Sequence, residues 1–160
     1  MIARPGNTVV KTIPVTSPEG IAVTSDGTHV YVANSNSNTV SMIARPGNAV
    51  VATVAVGTTP IGVAVTPDGT HVYVANYGSS TVSVIRTATK PVVGLPIPMG
   101  TNPIDLAVTP DGTHVYVNSG SDDVSVIHRP GNTVVKTVPV GINPLWGRGH
   151  PGWDKGLRRE

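Results

Sequence analysis

The run Thr66-Pro67-Asp68-Gly69-Thr70-His71-Val72-Tyr73-Val74-Ala75-Asn76 has an earlier counterpart from Thr24 and a later one from Thr109. The three copies start 42 and then 43 residues apart. A fixed period of this length marks a repeat architecture, in which each unit leans on its neighbours. Asp-Gly between two alternating apolar runs is a strong hairpin signal, because glycine accepts the positive φ that a tight turn demands.

Each period divides into four short apolar runs, A to D. In the middle copy these are residues 61–66, 70–76, 81–86 and 91–98. Asp68-Gly69 turns A into B, Tyr77-Gly78-Ser79-Ser80 joins B to C, and Ala88-Thr89-Lys90 joins C to D, where other copies use Pro-Gly-Asn. With 18 glycines and 15 prolines as punctuation and no apolar run of helical period, the composition reads as all-β. Four antiparallel strands per period is the pattern of a β-propeller blade. Ile61, Val63 and Val65 alternate with Gly62 and Ala64, so bulk falls on one face of the sheet and small residues on the other. Successive blades then pack bulk against hollow, with Tyr31, Tyr73 and Tyr116 as anchors of the layer between them.

Counting places a half blade over residues 1–16 and blades over 17–57, 58–99 and 100–141. The expected fold is therefore all-β, an incomplete β-propeller of about three and a half blades, too few to close a ring of four to eight. The end blades should expose apolar faces.

Pro67-Asp68-Gly69 followed by Tyr73-Val74-Ala75-Asn76 resembles the YVTN-type β-propeller repeat of prokaryotic cell-surface and extracytoplasmic proteins. The resemblance spans about residues 1–144 and is specific for architecture. It implies a surface-layer module, a binding platform or a lactonase-like enzyme. The chain departs from the pattern by carrying Ala for Thr, by losing a residue at Tyr116-Val117-Asn118, and by supplying few blades.

After Pro144 the repeat gives way to residues 145–160, which hold both tryptophans of the chain. One back-translation of 146–160, shifted by one base, reads as a repeat identical to residues 62–75 at 11 of 14 positions. The segment is expected to be a repeat read out of frame, without evolved function and poorly ordered, rather than a purposeful anion-binding tail. Residues 142–160 also carry the formal net charge of +2, since the other 141 residues hold equal numbers of each sign. A nucleic-acid surface on the repeats is thus not expected. Residues 1–7 lack the apolar core of a signal peptide and duplicate residues 42–48; no apolar run is long enough to span a bilayer. Cysteine is absent, which leaves the compartment open apart from the extracytoplasmic habit of the resembled family.

His29, His71 and His114 are the most tempting metal ligands. They repeat once per blade, too far apart to share one ion, and a structural role is expected for them and for the turn residues Asp26, Asp68 and Asp111. No metal site, cofactor or catalytic set is assigned. Non-repeated polar residues are better candidates, because stacking needs no variation. At the propeller end where the D–A and B–C connections emerge stand Glu19, Asn36, Tyr77, Asn102, Asp122 and Asp123. Asp105 replaces Gly20 and Gly62 near the start of an inner strand and would face the central channel. Glu19, Tyr77, Asn102, Asp105, Asp122 and Asp123 form the candidate binding set, for a protein or small polar ligand. The leading expectation is a non-enzymatic propeller module, a binding or surface scaffold. The alternative is a remnant of a lactonase-like or lyase-like enzyme acting at the channel. Self-association through open blade edges is a further expectation, as an ill-defined or swapped oligomer rather than a closed ring.

Overall fold

The computed structural model describes residues 2–3, 8–9, 11–89 and 91–140, so the segment 145–160 lies outside the described residues. Strands β1 (Ile2–Ala3) and β2 (Thr8–Val9) form an antiparallel pair. Three four-stranded sheets follow. The first is β3 (Pro18–Val23), β4 (His29–Asn34), β5 (Thr39–Ala44) and β6 (Ala49–Ala55). The second is β7 (Pro60–Val65), β8 (His71–Asn76), β9 (Thr81–Arg86) and β10 (Ile97–Pro98). The third is β11 (Pro103–Val108), β12 (His114–Ser119), β13 (Asp123–His128) and β14 (Thr133–Pro139), with one 3-10 turn at Arg129–Gly131. Every strand pairs antiparallel with its chain neighbour, so each sheet is a meander of the A-B-C-D kind. This is an incomplete β-propeller. Among the described residues no helix is long and apolar enough to cross a membrane.

The blades meet through their first strands: β3 packs on β7, and β7 on β11. The approach is close enough to dictate sequence. A Cβ added at Gly20 would lie 2.2 Å from the Ile61 carbonyl oxygen, and one at Gly62 would lie 2.6 Å from that of Ile104. Glycine is required at both because the neighbouring backbone occupies the space of a side chain. The third copy has Asp105 there, on the blade whose next neighbour is not among the described residues.

The core consists of two layers between sheets. Tyr31, Ala33, Val40 and Met42 of the first sheet meet Val63, Val72, Val74 and Ile85 of the second. Tyr73, Ala75, Val82 and Val84 of the second meet Leu106, Val115, Val117 and Ile127 of the third. On β7, Val63 and Val65 turn to the first sheet while Ala64 turns to the third, as the alternation of bulk and hollow requires. Each layer buries one tyrosine, Tyr31 in the first and Tyr73 in the second.

Two expectations are corrected. Residues 91–98 were expected to form a full outer strand, yet only Ile97–Pro98 pair with β9, with an isolated bridge between Ile85 and Val92. Pro91, Pro96 and Pro98 have no N–H to donate and Gly94 takes a φ of 67°, so the ladder breaks between them. The third repeat does not lose a residue from its second strand either. Tyr116 pairs with Val126, ten residues on, whereas Tyr31 pairs with Met42 and Tyr73 with Val84, each eleven on. The deletion therefore lies in the B–C turn; Asn118 and Ser119 stand where Ala33-Asn34 and Ala75-Asn76 do.

Candidate functional site

The register of the sheets puts the starts of the first strands and the B–C turns at one end, since Pro18 pairs with Asn34, Pro60 with Asn76 and Pro103 with Ser119. All six candidate residues lie at this end. Glu19, Tyr77 and Asp105 are exposed. Asn102 is tied into the frame: its Oδ1 accepts a hydrogen bond from Ser80 Oγ at 3.1 Å, and its carbonyl accepts one from Gly120 N. The previous blade junction has a similar clamp, where Thr59 N donates to Asn38 Oδ1 at 2.9 Å. Asp122 supplies the positive φ, 60°, that Asn38 and Ser80 supply in the other turns. Asp123 carboxylate oxygens accept from Ser119 and Ser121 hydroxyls. Asp105 N donates to Asn118 Oδ1 at 2.6 Å, while its own Oδ1 accepts from Leu106 N. With Leu106, Tyr116 and Asn118, Asp105 also lines a shallow cavity of about 200 Å³ on the outer face of the third sheet.

Beneath these turns, Asn34 donates through Nδ2 to Thr39 and Ser41, and Asn76 donates likewise to Thr81 and Ser83. Their Oδ1 atoms are buried without a partner among the described residues.

The opposite end carries the Asp-Gly turns and the larger clefts. The turns are built alike. Asp68 Oδ1 accepts from Thr66 Oγ1 and from Thr70 N, Gly69 adopts a φ of 68°, and Thr70 Oγ1 contacts His71 Nδ1 at 2.8 Å. The same bonds recur around Asp26 and Asp111. Hydrogen bonds from the preceding threonine, and then from Thr28 or Thr113, hold Asp26 and Asp111 at about 2 against an ordinary 3.8. The aspartates and histidines thus serve their own turns. Among the described residues no three His, Asp or Glu side chains gather as metal ligands.

The junctions between sheets differ at this end. Between the second and third sheets Arg129 crosses the cleft: its Nη1 donates to Gly112 O at 3.1 Å, and its Nη2 to Asp68 Oδ2 at 2.5 Å and Thr70 Oγ1 at 2.8 Å. Tyr73 Oη donates to Asn132 Oδ1 at 2.7 Å. Partial burial would raise the Asp68 carboxyl, but bonds from Thr66, Arg129 and Thr70 outweigh it and hold the group well below the usual carboxylate range. Burial, with the Arg129 guanidinium beside it, lowers His71. A cavity of about 580 Å³ lies here, lined by His71, Tyr73, Arg86, Asp111 and Arg129. Between the first and second sheets the cleft, about 320 Å³, is lined by Asp26, Thr28, His29, Tyr31 and Thr87, and among the described residues it has no such arginine. Sequence reasoning missed both clefts. The available signal was Arg-Pro-Gly-Asn at 129–132 against Thr-Ala-Thr-Lys at 87–90.

The sequence profile of a family described as "Lactonase, 7-bladed beta-propeller" matches residues 14–97, more than half of the 160 residues. The chain belongs to this family. Among solved structures, the lactonase-family chain superposes on Kuenenia stuttgartiensis hydrazine synthase with a TM-score of 0.74 at 29% identity, over 84% of its own length and 39% of that chain. A functionally unknown protein from Desulfotomaculum acetoxidans DSM 771 gives 0.73 at 23% identity, over 85% and 47%. The WD40 repeats of RRP9 give 0.71 at 12% identity, over 82% and 41%; the last two show likeness of fold alone. The lactonase-family chain therefore spans less than half the length of these structures. No curated protein matches it.

Proposed function

We propose that this chain is a non-enzymatic segment of a larger propeller, acting as a binding scaffold for a protein or small polar ligand. The contact end is the one that presents Glu19, Tyr77 and Asp105, with Asn102, Asp122 and Asp123 around them. The observation that supports this is the grouping of these non-repeated polar residues at one end of sheets whose apolar frame repeats. The remaining blades come from the parent protein or a second copy, which would cover the apolar end faces around Ile21, Val23 and Tyr116.

The test is a thermal-shift screen of sugars, amino acids and dipeptides on the wild type and on a Glu19→Ala/Tyr77→Ala/Asp105→Ala variant. Ligands that stabilise the first and not the second support the scaffold. Ligands indifferent to the triple change overturn it at this end. Light scattering after size exclusion reads the association state, and a monomer that binds no apolar dye would exclude open blade faces.

The family match favours a second function, lactone hydrolysis, with catalytic groups at the channel. Proton release from a panel of lactones in a pH-stat, above the buffer rate and lost in Asp105→Asn, would establish it in place of the scaffold.

A further inference from the structure

At the end opposite the proposed contact face, the described residues form one filled copy of a receptor and one without an arginine in it. In the filled copy, between the second and third sheets, Asp68, Thr70 and the Gly112 carbonyl receive the Arg129 guanidinium, and Tyr73 Oη reaches Asn132. The unfilled copy lies one junction earlier. Asp26, Thr28 and Tyr31 stand where Asp68, Thr70 and Tyr73 do. Thr87, the first residue after β9, stands where Arg129 follows β13. Its hydroxyl donates to Gly69 O at 2.8 Å, the counterpart of the Arg129 bond to Gly112 O, but threonine is too short to cross to Asp26. Lys90 takes the sequence position of Asn132 and lies outside the described residues.

Two observations mark the unfilled copy as a site rather than a packing gap. Among the described residues Asp26 Oδ2 receives only the Thr28 hydroxyl, at 2.9 Å, where its counterpart Asp68 Oδ2 receives a guanidinium. Tyr31 lines the same cavity, is 2% exposed, and its buried Oη has no hydrogen-bond partner among the described residues. An unmet buried hydroxyl and a carboxylate with spare acceptor capacity suit a planar, multi-donor cation better than a point charge.

We propose that the cleft between the first two sheets binds a guanidinium group, that of an arginine side chain, with Asp26 Oδ2 and Thr28 Oγ1 as acceptors and Tyr31 Oη beside it. The occupant is either a free arginine derivative or an arginine presented on a peptide. Calorimetric titration with argininamide forms one arm, titration with Gly-Arg-Gly the other, and lysinamide is the control.

Saturable binding of at least one arginine probe is expected, about tenfold or more tighter than lysinamide, with a similar loss in Asp26→Asn. The two arms separate the sources: the peptide alone binding would mean a presented arginine. Thr87→Arg is the decisive variant, since it supplies the missing guanidinium from within, as Arg129 does. It should abolish binding and raise the melting temperature. Absence of saturable binding by both arginine probes, lysinamide binding as tightly as they do, or argininamide binding undiminished in a folded Thr87→Arg protein would each overturn the proposal.

Discussion

The second and third blades are built from the same repeat and meet different fates. Tyr73 is 0% exposed because the third blade covers it, whereas Tyr116, at the same position, is 45% exposed. The first blade shows the mirror image: Ile21 is 65% exposed where Val63 and Leu106 are 7% and 8%. Among the described residues only the middle blade has both faces covered. A propeller blade is therefore half a structure; its side chains carry the information for burial, but the burial itself belongs to the pair.

Tyrosine truncation should split the blades furthest. Tyr73→Ala removes the buried tyrosine of a layer and should cost about 3–5 kcal/mol, whereas Tyr116→Ala should stay within about 0.5 kcal/mol. Urea denaturation of both variants measures the gap, and equal costs would mean that something covers the third blade.

Exchanging the inner-strand residues comes next. Gly62→Asp imports the third blade's residue into the middle one, where its Cβ would meet the Ile104 carbonyl oxygen and the Asp105 Cα. The loss should reach about 3 kcal/mol or more, while Asp105→Gly should cost no more than about 1 kcal/mol. By repeat geometry, Asp105 occupies the space that a fourth inner strand would take. A blade covering the Tyr116 face would have to seat its inner strand farther out there than at the other two junctions.

The Arg129 bridge is a smaller term. The arginine side chain is 19% exposed and Asp68 46%, so much of the attraction is screened and Arg129→Met should cost about 1 kcal/mol. The effect should shrink at high salt, which a melting curve at two ionic strengths would show.

The pH dependence is the finest probe. Asp68 is depressed when folded, so its contribution is present above the ordinary 3.8 and is lost as pH falls through the lowered value. His71 is also depressed; the unfolded chain takes up its proton first, and stability declines as pH drops below 6.5. Asp68→Asn should flatten the melting-temperature profile below pH 4 and leave the shoulder near neutrality. An unchanged acid limb in that variant would mean that Asp26 and Asp111, both near 2, carry the acid sensitivity.

Much of the frame was legible in the residues. The Asp-Gly turns, the B strand over His71–Asn76 and the C strand over Thr81–Arg86 follow from local turn chemistry and period-2 alternation. Strand D of the second blade was not, because an apolar run with three prolines looks like a strand until its missing N–H groups are counted. Connectivity alone placed the candidate residues at the end of the B–C turns, which is where the register puts them. What Asn102 and Asp123 do there was hidden, because their partners Ser80 and Ser119 become partners only once the turns have formed.

By itself the sequence determined a repeating β frame, since turns and alternation are properties of neighbouring residues. Tertiary structure decided which repeat is buried, why Gly20 and Gly62 admit no side chain, and which aspartate receives an arginine 61 residues away. Those outcomes depend on backbone and side chains from a different period arriving within a few ångströms. No local pattern in one repeat records what stands across the cleft.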